Sequence, residues 1–399
     1  MNPSAKGWIP KFLTIADKQQ HIASSCSSLV FYKKLKSTGF LYGNSSEAIT
    51  DKPLSHLNLT SSEFTKINLF QSLLFTFFKK NPNKNINTAI DHIISFYKIT
   101  NHNKASFLDK FSIAKKPTDN LEQILADRIS GTSFFNKKDN SIFTNTLLFV
   151  DVLSFIKFLT TTNDCKIYME NLERDLISLS FFALKSKLDK DNSDEQIIKQ
   201  IETSSVYLNI QIKETTALGL ETLQLTDYSD LEKEYLFDIS FLAVWNDKKL
   251  DQSEHNFLLQ LANKLQVSTS LIKENLEYIT VFSEKYSKKI KLFEYQNPLN
   301  QIYKESTTTV KLLIERNKKR LLLELNESGE LVKLLVQSTK RELTKDEKNK
   351  VKDQLLDICK TIPSLTIFLI PGGTLLLPIL IKFIPSLLPS AFNENKLDS

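Results

Sequence analysis

Five histidines, three cysteines and one dense acidic run are the residues whose types could do chemistry. Their spacing argues against each in turn. His21, His56, His92, His102 and His255 stand apart from one another. None forms an HExxH pair, which would put two imidazoles on one helix face for zinc, and none lies beside a nucleophile motif. No GxSxG elbow, Walker loop or dinucleotide fingerprint occurs. The chain therefore reads as a non-enzyme that needs no cofactor. Cys26, Cys165 and Cys359 make neither a CxxC site nor a disulfide framework, so they read as free thiols in a reducing compartment. The run 189–195, DKDNSDE, looks at first like a calcium loop. Such a loop needs Gly at its sixth position for a sharp turn and a bidentate Glu at its twelfth. Here those positions hold Asp194 and Gln200. The run reads instead as a solvated helix start, its carboxylates near the positive end of the dipole.

Composition sets the frame that must carry any function. The apolar fraction of 41% and the charged fraction of 25% are those of a globular chain. A length of 399 residues suits two or three domains. Only 8 glycines occur, and strictly alternating runs are few. Sheets need many turns and helices few, so the expected class is all-α, as multi-helix bundle domains. The net charge of +6 is spread over mixed surface, enough for a weak pull on anionic lipid or RNA but no sign of specific DNA binding. The opening MNPSAKGWIPKF lacks the apolar run and cleavage site of a secretory signal, which predicts a cytoplasmic bulk.

Helical periodicity recurs along the chain. Ser61-Ser62-Glu63 opens a helix that carries Phe70, Leu73, Leu74, Phe77 and Phe78 on one face. Asn87 to Ile99 gives another helix, and Thr100 to Asn120, with Pro117, reads as a connection. The apolar run Ile142 to Leu159 contains Asn145, Asp151 and Lys157, which marks a buried core helix rather than a membrane span. Tyr235, Leu236, Ile239, Leu242, Ala243 and Trp245 define one further helix. Asp251 with Glu254 makes a capping box for the next, and Phe257, Leu258, Leu261, Ala262 and Leu265 form its apolar stripe. A third opens at Ser268. A helix from Thr307 to Leu325 is broken by Asn326-Glu327-Ser328-Gly329, and a short helix follows to Lys340. Thr344-Lys345-Asp346-Glu347 is a second capping box, ahead of the stripe Val351, Leu355, Cys359 and Ile362.

The last forty residues are of a different kind. TIPSLTIFLIPGGTLLLPILI, from Thr361 to Ile381, has no charged side chain over a length that can cross a bilayer core as helix. Lys382 interrupts, and apolar sequence resumes to Phe392. Pro371, Pro378 and Pro385 recur every seven residues and so share a face. Pro363 and Pro389 flank them, and Gly372-Gly373 adds a hinge. The predicted membrane segment, 361–391, either spans as a kinked helix or dips in and returns as two short arms. The alternative is a buried hairpin of a soluble domain. Lys340, Arg341, Lys345, Lys348, Lys350, Lys352 and Lys360 precede the segment, while Lys382 and Lys396 follow its start. That asymmetry predicts an inner-membrane protein with its N-terminal bulk in the cytoplasm.

Two stretches resemble known families. FLAVWNDKKLDQSEHNFLLQLANKLQVS, from Phe241 to Ser268, resembles the tellurite-resistance TerB-like helical domain. Members of that group have acidic residues proposed to hold metal, and Asp247 and Glu254 match them. Turn formation and capping are the other account of that pair. The stretch from Leu343 to Phe392 resembles the membrane segment of the Letm family, mitochondrial inner-membrane proteins linked to exchange of potassium or calcium for protons. The resemblance rests on LTKDE, Ile362-Pro363, Pro371, LLLP at Leu375 to Pro378, Ile381-Lys382 and IPSLLPSAF. The whole chain is similar to bacterial proteins called Letm-related and biofilm-associated.

The resemblance implies a membrane-associated helical protein that supports cation and proton homeostasis or transport. A non-transporting, membrane-tethered adaptor for a protein partner or the ribosome is the alternative. The implied partners are the lipid bilayer, further copies of the chain, and a ribosome or membrane protein. The Letm members continue into a ribosome-binding-like domain, which is expected to be missing because this sequence stops at Ser399. They also carry an acidic residue inside the apolar segment, where this chain has Thr374. The expected organisation is 1–130, an N-terminal helical region; 131–300, a helical domain with a TerB-like part at 231–282; and 301–399, a Letm-like region.

Overall fold

The computed structural model describes residues 1–16, 26–43, 45–50, 59–100, 116–130, 147–161, 164–190, 194–195, 198, 219–245, 250–286, 310, 314, 317–338, 341, 343–362, 365, 380–381 and 383–384. Every regular element among them is helical. In chain order these are α1 (Trp8–Ala16), α2 (Ser28–Ser37), α3 (Ser61–Lys80), α4 (Ile86–Thr100), α5 (Pro117–Ser130), α6 (Leu148–Phe158), α7 (Cys165–Ser186), α8 (Asp230–Val244), α9 (Gln252–Leu265), α10 (Ser270–Tyr286), α11 (Gly329–Ser338) and α12 (Lys345–Thr361). A 3-10 turn at Phe40–Tyr42 and another at Leu220–Thr222 complete the set. Residues 317–327 are also helical.

Local chemistry accounts for the helix starts. Thr60 caps α3, its hydroxyl accepting from the Glu63 N–H while Glu63 takes the Thr60 N–H at 2.8 Å. Ser229 with Glu232 does the same for α8, and Asp251 with Glu254 for α9. Pro117 occupies the first turn of α5, where its missing N–H costs nothing. It thus starts a helix, correcting its reading as part of a connection. The α1 start is capped from a distance. The Glu122 carboxylate of α5 accepts the N–H of Gly7 and of Ile9, both at 2.8 Å. Gly7 turns into the helix at φ +83°, a backbone region that favours glycine.

The centre is built on α6, α7 and α8. α7 packs against α6 and α8, α3 against α5 and α6, and α9 and α10 against α8. Along α6 the buried residues run from Leu148 through Phe155 with no exposed face, the pattern of a core helix. The core is rich in aromatics: Tyr32 meets Phe149, and Phe149 meets Tyr235, with ring centroids 4.9 and 5.1 Å apart.

Three ion pairs are buried in this core. The Arg128 guanidinium holds Asp151, which also accepts from the Tyr97 hydroxyl at 3.0 Å. Lys36 reaches Asp238 at 2.7 Å, and Asp238 also takes the Tyr32 hydroxyl and the Asn275 amide. Lys36 bonds Asn275 as well. Lys187 pairs with Asp194 at 2.7 Å, both nearly inaccessible to solvent. Asp194 is therefore a buried partner, and its reading as part of a solvated helix start is corrected. Residues 191–193 of that run lie outside the described set.

Candidate functional site

The region singled out by sequence is approached by three helical pieces: 317–327, α11 and α12. The break between the first two is a single residue, Ser328, because Gly329 already begins α11. α11 and α12 pack together. Leu331 and Leu335 of α11, and Val351, Leu355 and Cys359 of α12, are fully buried. The expected stripe thus holds, and it extends to Ile362. Burial pushes the Cys359 thiol well above its ordinary range, which makes it a packing residue rather than a nucleophile.

Polar chemistry clamps the outer face of this unit. Thr344 accepts the Glu347 N–H, and Glu347 takes the Thr344 N–H at 2.7 Å. Arg341 donates two further bonds to Glu347, at 2.7 and 3.0 Å. Hydrogen bonds from Arg341 and from the Thr344 N–H drive the Glu347 carboxyl down to about 2. Lys350 and Gln354 both donate to Glu330 at the α11 start, and the Lys350 bond holds that carboxyl below its usual range. At the other end, Arg320 donates to the Thr361 carbonyl at 2.8 Å, closing the α12 C-terminus with a cation. The helix leading into the apolar tail is fixed at both ends.

Pro363, Pro371, Gly372, Gly373, Thr374, Pro378, Lys382, Pro385 and Pro389 all lie outside the described residues. Their described neighbours are informative. Leu365, Leu380 and Ile384 are fully buried and Ile381 is nearly so, covered by the chain itself. Among the described residues, no helix is long and apolar enough to cross a membrane.

Of the metal candidates, Asp247 is outside the described residues, and Glu254 accepts the Asp251 N–H at 2.9 Å within the α9 capping box. Asp251 accepts from both Ser253 and Glu254, which keeps its own carboxyl low despite some burial. Among the described residues, no group of three or more His, Cys, Asp or Glu is placed to hold a metal. The buried pairs Arg128–Asp151 and Lys36–Asp238 escaped the sequence reading. The available signal was a charge inside an apolar helical run, as with Asp151, which demands a partner without naming it.

The fold is thus an all-helical body with a clamped helix leading into an apolar tail. Residues 343–399 match the family model described as LETM1-like, RBD. The match begins at Leu343, where the Letm resemblance also starts. The ribosome-binding-like portion expected to be missing is thereby revised, since a model carrying the RBD description covers these very residues. No curated protein and no solved structure matches the chain.

Proposed function

We propose that this chain is a membrane-associated helical protein of the Letm-like type, with its helical bulk in the cytoplasm and its tail, 361–391, in the inner membrane. The observation that carries this reading is continuity. α12, capped by Thr344 and closed by Arg320, delivers the chain directly into the uncharged stretch 361–381, within the LETM1-like, RBD match. Exposed lysines on the α12 side are suited to an anionic lipid surface. Leu365, ahead of Pro371, and Leu380, Ile381 and Ile384, beyond Pro378, are buried by the protein itself, which is also what a buried hairpin of a soluble domain would give. A tail of this kind supports cation and proton homeostasis by assembling with other copies or with a membrane protein.

A second reading has its own support. The RBD description of the matched model favours a tether that holds a ribosome partner at the membrane. Thr374, in place of an ionisable residue, removes the natural proton carrier from the tail and favours tethering over exchange.

Fractionation of cells making the full chain, or a chain ending at Lys360, tests membrane association. The full chain is expected with membranes and resistant to salt washing, and the shortened one in the supernatant. A full chain that stays in the supernatant as a monomer means that the tail is a buried hairpin. Ion flux in proteoliposomes, and co-sedimentation with ribosomes, then separate the two readings.

A further inference from the structure

A cavity of about 160 Å³ opens between α2, α3, α6 and the first turn of α8. Its chemistry is two-sided. The walls are apolar, with Phe31 stacked on Phe75 at 3.9 Å between ring centroids, and with Phe149, Val152 and Leu231 around them. Among the described residues, the polar lining carries hydroxyls and ammonium groups: Ser28 in the first turn of α2, Thr76, Lys79 and Lys80. Tyr32 also lines the cavity, and its hydroxyl is committed to Asp238. Among the described residues, no Asp or Glu lines the space.

The two lysines, both exposed, rest on neutral acceptors. Lys79 donates to the Cys26 carbonyl at 2.9 Å, and Lys80 to the Thr160 hydroxyl at 2.7 Å. Those bonds hold the ammonium groups in place without cancelling their charge. The α2 N-terminus adds partial positive charge on the same side. An apolar cavity of about 150 Å³ is enough to hold a six-carbon ring dry. This one therefore suits roughly six carbons of an alkyl chain, with the head group left at the mouth.

We propose that this cavity binds a single-chain amphiphile with an anionic head: the alkyl end packs against the stacked Phe31–Phe75 pair and Val152, and the head meets Lys79 and Lys80. The shared chemistry is an acyl chain ending near a negative charge. It is supplied either by a free medium-chain carboxylate or by an anionic lipid. The inference stands on the helical body alone and does not depend on where residues 361–391 reside.

Photolabelling tests it with the full chain in nanodiscs. The probe is octanoic acid with a diazirine near its methyl end, and adducts are mapped by peptide mass spectrometry. Adducts are expected on peptides that hold Phe31, Phe75 or Val152, competed by octanoate and not by octylammonium. The double variant Lys79→Ala, Lys80→Ala changes exposed positions, and should lower this labelling by about tenfold, the scale of one charge-assisted hydrogen bond. Lys79→Arg, Lys80→Arg should restore it. In a second arm the diazirine is carried on the acyl chain of phosphatidylglycerol in the disc. Labelling of the same peptides there assigns the site to lipid, and labelling by the free acid alone assigns it to a soluble carboxylate. Equal competition by octylammonium, adducts confined to 361–391, or labelling unchanged in the double alanine variant overturns the proposal.

Discussion

Arg128 of α5 grips Asp151 of α6 in a two-bond fork, Nε to Oδ2 at 2.8 Å and Nη2 to Oδ1 at 2.9 Å, with both side chains almost wholly removed from water. Burial alone would pull the guanidinium down, but the Asp151 charge and hydrogen bonds reverse that effect and raise it. Tyr97 completes the group, and its hydroxyl is pushed up by burial and by Asp151. Removing one partner leaves a bare buried charge, whereas removing both leaves apolar volume. Asp151→Ala is therefore expected to cost about 3–5 kcal/mol. Arg128→Met with Asp151→Leu should sit close to the parent. Urea unfolding of the three proteins checks this. If the single variant is as stable as the parent, the pair is incidental.

Three helix starts share an acid-sensitive device. Glu63, Asp251 and Glu347 each receive backbone N–H groups at a cap, and each carboxyl is lowered from its ordinary value. A lowered folded value means that stability is present above the unfolded value and lost as pH falls through the folded one. For Glu347 that window runs from 4.5 down to about 2. Hydrogen exchange at the first amides of α12 should accelerate across it, and Glu347→Gln should flatten the response. An unchanged pH profile in that variant would assign the loosening elsewhere.

Thr344→Ala removes the hydroxyl that accepts from Glu347 and is expected to cost about 1 kcal/mol of α12 stability. The effect should stay within the C-terminal unit, because the side-chain hydrogen bonds of Thr344 and Glu347 among the described residues lie within 341–347. Site-resolved exchange in α11 and α12, compared with α7, measures that confinement.

Asp238 joins three helices: Tyr32 and Lys36 come from α2 and Asn275 from α10. Tyr32→Phe should cost about 1 kcal/mol, the scale of one buried hydrogen bond. Asp238→Ala should cost several times more, because it strands the Lys36 ammonium. Thermal melts that rank the two alike would contradict this account.

The Glu254 carboxylate is engaged as a cap for α9. Calorimetric titration with calcium is accordingly expected to give the same heats for the parent, Asp247→Ala and Glu254→Gln. Glu254→Gln should keep much of the cap, since an amide oxygen can accept the Asp251 N–H. A calcium heat that vanishes in either variant would restore the metal reading.

Several helices, two capping boxes and the apolar stripes were legible in the sequence because each of these depends on residues within one or two turns. Asp251–Glu254 and Thr344–Glu347 are contacts across three positions, and the stripe Val351, Leu355, Cys359 is set by the pitch alone; at α3 the cap is Thr60, one residue ahead of the expected Ser61 start. Pro117 was misplaced because proline both ends and begins helices, and only its neighbours downstream decide which. The uncharged tail from Thr361 to Ile381 is likewise a property of the sequence.

Which charge meets which was decided by tertiary structure alone. Lys36 and Asp238 are two hundred residues apart, and Glu122 caps a helix that begins over a hundred residues before it. No local period encodes such pairings, because they depend on which helix faces meet once α5, α6 and α8 are packed. The cavity under Lys79 and Lys80 has the same origin. Its walls come from four helices, each of which fills its own side for local reasons, and the space between them exists only where their surfaces fail to interlock.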